Sequence, residues 1–212
     1  MSRGNGGKRC CLGICLSLCL ALFLSGCAGT GNVPEDHFYR LATLPVEQSF
    51  EQPPLAGVLR VQRVEAVGLL RDRALLYSHV ATPQQLQRHH YHRWVGPPPV
   101  LVQDQLVQYL RDSGLAELVA ADPMDRDADL HLQLEVRDFS RRLHTNGRTA
   151  VRVELGLIAQ PAGREPPLLV RRYMREVMAS NGSPAAAVTA FDVALAEIYG
   201  ELVQDLLQVT GE

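Results

Sequence analysis

Three stretches in the second half of the chain alternate between aliphatic and polar residues, and a long apolar stripe follows them. The alternation covers residues 130–137, 151–157 and 168–177. A period of two predicts strands with one buried and one solvated face, and short polar connections such as Asn146-Gly147 predict an antiparallel meander. The stripe recurs at three- and four-residue steps, which predicts a helix with one face against that sheet. Its members are Val188, Phe191, Leu195, Ile198, Leu202, Leu206 and Val209.

Two helices have recognisable ends in the sequence. Ser183 is a good N-cap for the last helix, and Pro184 suits its first position. An earlier helix is predicted after the run 97–99, which is all proline. Gly114 then suits the left-handed conformation that ends many helices.

The remaining segments predict short strands at residues 37–41, 58–67, 74–80 and 89–94, with a possible bulge near Gln62-Arg63 in the second of them. Residues 115–121 fit either a short strand or an irregular edge. The order strands, helix, strands, helix predicts an α+β fold with a mostly antiparallel sheet and two main helices packed on one face.

The N-terminal segment predicts export and lipid attachment. Positive residues precede an apolar run at 10–24, which is the profile of a signal peptide. The run ends in Leu24-Ser25-Gly26-Cys27, a pattern typical of bacterial lipoproteins, where the Cys27 thiol takes a diacylglyceryl group. The alternative is an ordinary signal peptide followed by a coincidental cysteine. We therefore expect a lipoprotein signal peptide at 1–26, a lipidated tether at 27–36 and a single domain at 37–212.

All five cysteines lie at or before Cys27, so we expect no disulfide in the processed chain, and the domain must be held together by its core. Processing also removes Arg3, Lys8 and Arg9, which makes the chain more acidic than its formal charge of −2. An acidic domain argues against nucleic-acid binding and gives no reason to expect a polybasic membrane patch.

Candidate catalytic and metal-binding residues are few. In a strand at 89–94, His90 and His92 would point to the same face and could share a metal ion, but we find no carboxylate or thiolate spaced to complete a site. Surface or packed histidines are the favoured interpretation. The chain has no Gly-x-Ser-x-Gly or His-Glu-x-x-His motif, and the acidic run 122–129 suits a solvated turn. We expect no enzyme activity, no bound metal and no cofactor.

A partner-binding surface is the stronger hypothesis. Several residues of the types that dominate interfaces lie beside short turns in the first half of the chain. Leu69 and Leu70 occupy a turn that leaves them little core to enter, whereas a core position is the favoured interpretation for Trp94. The candidates are Leu69, Leu70, Arg71, Asp72, Tyr77, Arg93 and Trp94.

Two segments carry a family resemblance. Residues 64–77 read VEAVGLLRDRALLY, and residues 92–98 read HRWVGPP and lead into a helix. Together with Phe38-Tyr39-Arg40-Leu41 they resemble the auxiliary lipoproteins of ABC-type transport systems, the PqiC or YmbA type. The chain departs from the family pattern at Leu69-Leu70, where a proline is common, and after Trp94, where Ala-Glu-Pro is usual.

The resemblance implies a non-catalytic lipoprotein subunit of an ABC/MCE-type intermembrane lipid transport system. It implies that the subunit docks or scaffolds the periplasm-spanning component, with an MCE-domain protein and an ABC permease/ATPase complex as partners. By the same resemblance, Ala28 after Cys27 implies sorting to the outer membrane, with the domain on the periplasmic face. A homo-oligomer is a further expectation. A lipid-carrier lipoprotein, a lipopolysaccharide-assembly lipoprotein and a structural envelope protein are the alternatives.

Overall fold

The computed structural model describes residues 34–122 and 127–211. The predicted signal peptide and Cys27 lie outside them. The described part is an α+β fold in which a 3₁₀ turn, Gly68–Arg71, follows β3. Its elements are β1 (His37–Tyr39), β2 (Leu55–Val61), β3 (Glu65–Ala66), β4 (Ala74–His79), β5 (Gln87–Trp94), α1 (Pro98–Ser113), β6 (Ala116–Ala121), β7 (Leu130–Leu143), β8 (Thr149–Pro161), β9 (Leu169–Met178) and α2 (Pro184–Thr210).

Strand β7 is the centre of the sheet. Along one edge it pairs antiparallel with β8, and along the other it pairs parallel with β2, β3 and β4 in turn. Two further parallel pairs join β2 to β6 and β1 to β5. The sheet is therefore mixed, and the prediction of a mostly antiparallel sheet is wrong. Alternation in a sequence reports which face of a strand is buried, but it does not report the direction of a partner strand from a distant part of the chain.

The predicted meander is confirmed, because β7, β8 and β9 pair antiparallel in chain order. The predicted strand 58–67 is instead divided into β2 and β3. Between them the amide of Val64 donates to the side chain of Gln103 at 3.1 Å, so the backbone leaves the ladder there. Residues 116–121 form a true strand, which decides between the two alternatives for that segment.

The end of α1 and the start of α2 lie where the sequence predicts them. Helix α1 ends at Gly114, whose φ of 67° is left-handed. Helix α2 begins after Ser183, whose hydroxyl accepts a hydrogen bond from the Ala186 amide at 3.1 Å. Among the described residues, neither helix has the length and apolar character needed to cross a membrane.

Aromatic side chains occupy the core where the last helix meets the sheet. Phe139 of β7 stacks on Phe191 of α2 with ring centroids 4.3 Å apart. Trp94 lies 5.4 Å from each of these rings and is fully buried. The two helices also contact each other, because the Tyr199 hydroxyl donates to the carbonyl of Val102 at 3.2 Å. This contact satisfies a polar group that would otherwise be costly to bury.

Candidate functional site

The 3₁₀ turn and the residue that caps it, Asp72, hold four of the predicted partner-binding residues, and the structure separates them. Leu70 is buried and Leu69 packs against the core, contrary to the expectation that this turn leaves the leucines little core to enter. Arg71 is exposed and pairs with Glu65 at 3.6 Å. Asp72 is half-buried and pairs with Arg88 at 3.3 Å. The charged side chains of the turn are therefore accessible to a partner, and Leu70 is not.

Arg93 and Trp94 lie on opposite faces of β5. The indole of Trp94 belongs to the core, so it offers no surface to a partner in this structure. Arg93 is exposed, and its cross-strand neighbour in β1 is Phe38. The guanidinium of Arg73 lies 5.8 Å from the centroid of the Phe38 ring.

Exposed apolar residues surround Arg93. Phe38, Tyr91 and Val95 are 54%, 43% and 42% exposed. Tyr91 lies two residues before Arg93 in β5, Val95 directly follows the end of that strand, and β1, which carries Phe38, pairs parallel with it. We call these four residues the Arg93 patch: Phe38, Tyr91, Arg93 and Val95. Exposed aromatic side chains around an arginine are typical of the centre of a protein interface.

Tyr77 lies away from the Arg93 patch. Its hydroxyl donates to the side-chain oxygen of Gln87 at 2.8 Å. Its ring centroid is 4.6 Å from that of His89. Tyr77 therefore belongs to a group of polar and aromatic side chains, which we call the His89–Arg141 cluster: His37, Tyr39, Tyr77, His89, His92 and Arg141.

The histidines do not pair as the alternation of β5 suggests. Ala74 of β4 pairs with Arg93, whereas Leu76 pairs with Arg88, so β5 bulges between these positions. The bulge brings His89 and His92 together, with ring centroids 5.4 Å apart, while His90 is exposed. In residues 34–122 and 127–211, His, Cys, Asp and Glu form no group of three or more that could hold a metal ion.

Arg141 is the centre of the cluster. It is 2% exposed, and no carboxylate of the described chain lies within 4.0 Å of its guanidinium. Its Nη1 lies 2.7 Å from Nε2 of His89, and its Nη2 donates to the carbonyl of Gly182 at 2.8 Å. Its buried Nε has no hydrogen-bond partner in this structure. Burial lowers the pKa of Arg141, but an arginine keeps its charge at any physiological pH.

The same positive charge acts on the imidazoles. Burial, and then the charge of Arg141, lower the pKa of His89 to about 4. Burial and the neighbouring His37 also lower the pKa of His92, which contacts the Tyr39 hydroxyl at 2.9 Å through Nδ1. Both histidines are therefore neutral at neutral pH, and no carboxylate among the described residues lies close enough to pair with the charge of Arg141.

A groove of about 640 Å³ lies over the middle of β8. Gly156 forms part of its floor, and a Cβ at this position would lie 3.0 Å from Nε of Arg137. The glycine therefore leaves room for a guanidinium across the strand. Ile158 and Val170, which are cross-strand neighbours, give the groove an apolar end. Basic and acidic groups both reach its rim, namely Arg63, Arg137, Arg171, Arg172, Glu65, Asp122 and Glu135.

The sequence interpretation missed Arg141 because of a bulge. From Leu130 to Val136 the even-numbered residues of β7 are buried. Val136 pairs with Leu155 of β8, and Asp138 pairs with the adjacent Glu154. Arg137 is therefore an extra residue in β7. Beyond it, odd-numbered positions face the core. The out-of-phase Phe139 was the available signal for this shift. Phe38, Tyr91 and Val95 gave no signal, because isolated apolar residues are common at protein surfaces.

The domain resembles known proteins over most of its length. A family model for the ABC-type transport auxiliary lipoprotein component matches residues 39–203. The crystal structure of protein XCC0632 from Xanthomonas campestris superimposes with a TM-score of 0.72 at 23% identity, covering 82% of this chain and 95% of that one. Another crystal structure, of an uncharacterised protein, gives a TM-score of 0.63 at 17% identity, covering 82% and 99%. At these identities the structures show a shared fold.

A curated relative extends the comparison to sequence. An uncharacterised protein of Bradyrhizobium diazoefficiens is 29% identical over 150 residues, which is 70% of this chain but 39% of the relative. The chain thus spans well under half the length of that relative. The family model covers most of the folded domain, from the last residue of β1 into the second half of α2. The chain belongs to the family of ABC-type transport auxiliary lipoprotein components.

Proposed function

We propose that this lipoprotein is a non-catalytic outer-membrane subunit of an MCE-type lipid transport system and docks the periplasm-spanning component. Membership of the transport auxiliary family supports the transport role. The observation that carries docking is the Arg93 patch, in which three large apolar side chains stand exposed around one arginine. The partner in this proposal is an MCE-domain protein that works with an ABC permease and ATPase.

The anchor is the first part of the proposal. A diacylglyceryl group and a third acyl chain on Cys27 would hold the domain to the membrane, since each buried CH₂ contributes about 0.8 kcal/mol. The tether at 27–36 would keep the domain near the periplasmic face of the outer membrane. An anchored domain needs no large interface, because a high local concentration assists a weak contact.

The Arg93 patch is the second part. Phe38, Tyr91 and Val95 expose apolar area that a partner would remove from water. Arg93 has no carboxylate within 4.0 Å in the described chain, so its charge is free to pair with an acidic group of the partner. Exposed Arg71 and half-buried Asp72 of the 3₁₀ turn add polar groups to the docking surface in this proposal, as the sequence interpretation expected.

Recovery of partners from membranes tests the docking proposal. Affinity-tagged wild-type chain extracted from membranes should bring down an MCE-domain protein or an ABC subunit. Phe38→Asp and Arg93→Glu should each lower that recovery at least tenfold, which corresponds to about 1.4 kcal/mol. Val193→Asp, a change at an exposed apolar residue of α2, is the matched control and should leave recovery unchanged. Failure of the wild-type chain to recover any such partner would overturn the proposal.

A lipid-carrier role is the second candidate, and the groove over Gly156 favours it. The groove joins an apolar end at Ile158 and Val170 to a rim with four arginines, which suits an acyl chain next to an anionic headgroup. Native mass spectrometry distinguishes the two roles. One bound lipid per wild-type chain, absent from Gly156→Leu, would favour the carrier role. A wild-type chain that carries no lipid but still recovers an MCE-domain protein would favour docking. Recovery of a β-barrel partner instead would favour the lipopolysaccharide-assembly alternative.

A further inference from the structure

Strand β9 ends the sheet with an open edge. In the described part of the chain it pairs with β8 and with no other strand. The amide of Ala179 donates to the carbonyl of Thr149, so the odd-numbered residues of β9 direct their backbone groups to β8. The even-numbered residues therefore direct theirs to the open edge. A ten-residue edge of this kind is a template for another strand.

The side chains at the even positions of β9 are all exposed, and they read apolar, basic, apolar, acidic, apolar. They are Val170, Arg172, Met174, Glu176 and Met178. The pattern is symmetric about Met174 except that its two charges have opposite signs. A strand with this pattern is complementary to itself when it runs antiparallel, which is the requirement for a two-fold contact between identical chains.

We propose that a second copy of this chain pairs with β9 antiparallel, about a two-fold axis at Met174. In this register Arg172 lies opposite Glu176 of the second copy, and Val170 lies opposite its Met178. Met174 faces Met174. These directly opposite pairs are close enough for ion pairing and apolar contact, and the open backbone groups of both edges are satisfied at the same time. The two sheets then form one continuous sheet through β9.

Neighbouring registers are less favourable. An axis at Arg172 or at Glu176 would set two like charges against each other. An axis at Tyr173 or at Arg175 would set Arg172 and Glu176 opposite apolar side chains. Only the axis at Met174, among these five positions, pairs opposite charges and apolar residues together. Because like charges directly opposite are destabilising, the charges select the register.

The charges on β9 also favour a partner from outside the chain. Glu176 has no basic side chain within 4.0 Å among the described residues, although Arg152 is its cross-strand neighbour. Arg172 already contacts Glu154 through Nε at 2.6 Å, but its side chain remains 65% exposed. Arg172 can therefore hold Glu154 and meet Glu176 of a second copy. This contact is separate from the Arg93 patch on β1 and β5, so it does not depend on the docking proposal.

Cysteine cross-linking of the full-length chain in membranes tests the register. Directly opposite residues of this type have Cα atoms about 5.5 Å apart, within the range of a disulfide. Met174→Cys should therefore give a covalent dimer under mild oxidation. Met178→Cys is the matched control and should not, because two residues 178 would be separated by about 26 Å along the strands. Co-expressed Val170→Cys and Met178→Cys chains should cross-link to each other. Equal cross-linking of the two methionine variants would overturn the register.

Charge reversal tests the pairing itself, with sedimentation of the detergent-extracted chain as the measurement. The wild-type chain should have twice the mass of one copy. Arg172→Glu and Glu176→Arg should each be monomeric, whereas an equimolar mixture of the two and the double variant R172E/E176R should regain the doubled mass. The mixture is decisive, since it can succeed only if residues 172 and 176 meet across the contact. A monomeric wild-type chain, or single variants that remain dimeric, would overturn the proposal whether or not an MCE partner is recovered.

Discussion

Nη1 of Arg141 lies 2.7 Å from Nε2 of His89, and this contact joins β7 to β5. A guanidinium can only donate, so the imidazole must accept and must be neutral. Gly182 accepts from the other end of the same guanidinium. A buried arginine is thus held by a neutral imidazole and a backbone carbonyl, and no carboxylate of residues 34–122 and 127–211 lies within 4.0 Å of its guanidinium.

This contact predicts acid sensitivity. Burial and Arg141 lower the pKa of His89 to about 4, below the value of about 6.5 for an unfolded histidine. The unfolded state therefore takes up the proton first, and the free energy of unfolding falls as the pH drops from about 6.5 to 4. His89→Gln retains an acceptor but cannot titrate, so its urea stability should fall less between pH 7 and pH 5. His79→Gln, at an exposed position of β4, should behave as the wild type does. If His89→Gln lost as much stability between pH 7 and pH 5 as the wild type does, His89 would not be the source of the acid sensitivity.

The aromatic core predicts a large effect at Phe191. Its ring stacks on Phe139, so Phe191→Ala removes a fully buried side chain and leaves a cavity. We expect a loss of about 3–5 kcal/mol in the free energy of unfolding. The fluorescence of Trp94, 5.4 Å away and the one tryptophan of the chain, reports the transition in urea. Val193→Ala, an exposed change on the same helix, should cost less than about 0.5 kcal/mol.

The end of α1 predicts a difference between two glycines. Gly114 and Gly147 both have left-handed φ angles, of 67° and 78°. A Cβ at Gly114 would lie 2.6 Å from the carbonyl oxygen of Phe50, whereas a Cβ at Gly147 would meet nothing within 4 Å. Gly147→Ala should cost about 1–2 kcal/mol from backbone strain alone. Gly114→Ala should lower the free energy of unfolding clearly more in the same urea titration. Equal losses in the two variants would show that the backbone at Phe50 moves away from the new Cβ without a measurable cost.

The anchor predicts a change of location without a change of fold. Cys27→Ser removes the thiol that would carry the lipid, so the chain should no longer sediment with membranes. Cys27 precedes β1, and its replacement should leave the circular dichroism spectrum and the urea midpoint unchanged. Cys19→Ser, within the predicted signal peptide, should keep membrane association. Continued sedimentation of Cys27→Ser at the wild-type level would contradict lipid anchoring at this residue.

Part of the candidate site was predictable from sequence, and part depended on irregular pairing. Arg93 was predicted as a partner-binding residue and is exposed, whereas Leu70 was predicted as exposed and is buried. A turn residue can reach a core that distant strands supply, and no local pattern reports that core. The bulges in β5 and β7 then bring His89 and Arg141 together.

The sequence by itself determined the meander, the two helices, the end of α1 and the start of α2, because periodicity and capping act over a few residues. Ser183 and Gly114 serve as the caps that their chemistry predicts. Only the tertiary structure decided that β7 pairs parallel with β2, β3 and β4, and that β9 ends the sheet with an open edge. The reason is that strand direction, register and bulges depend on which distant segments bury each other's apolar faces, and that choice is made by the whole core at once.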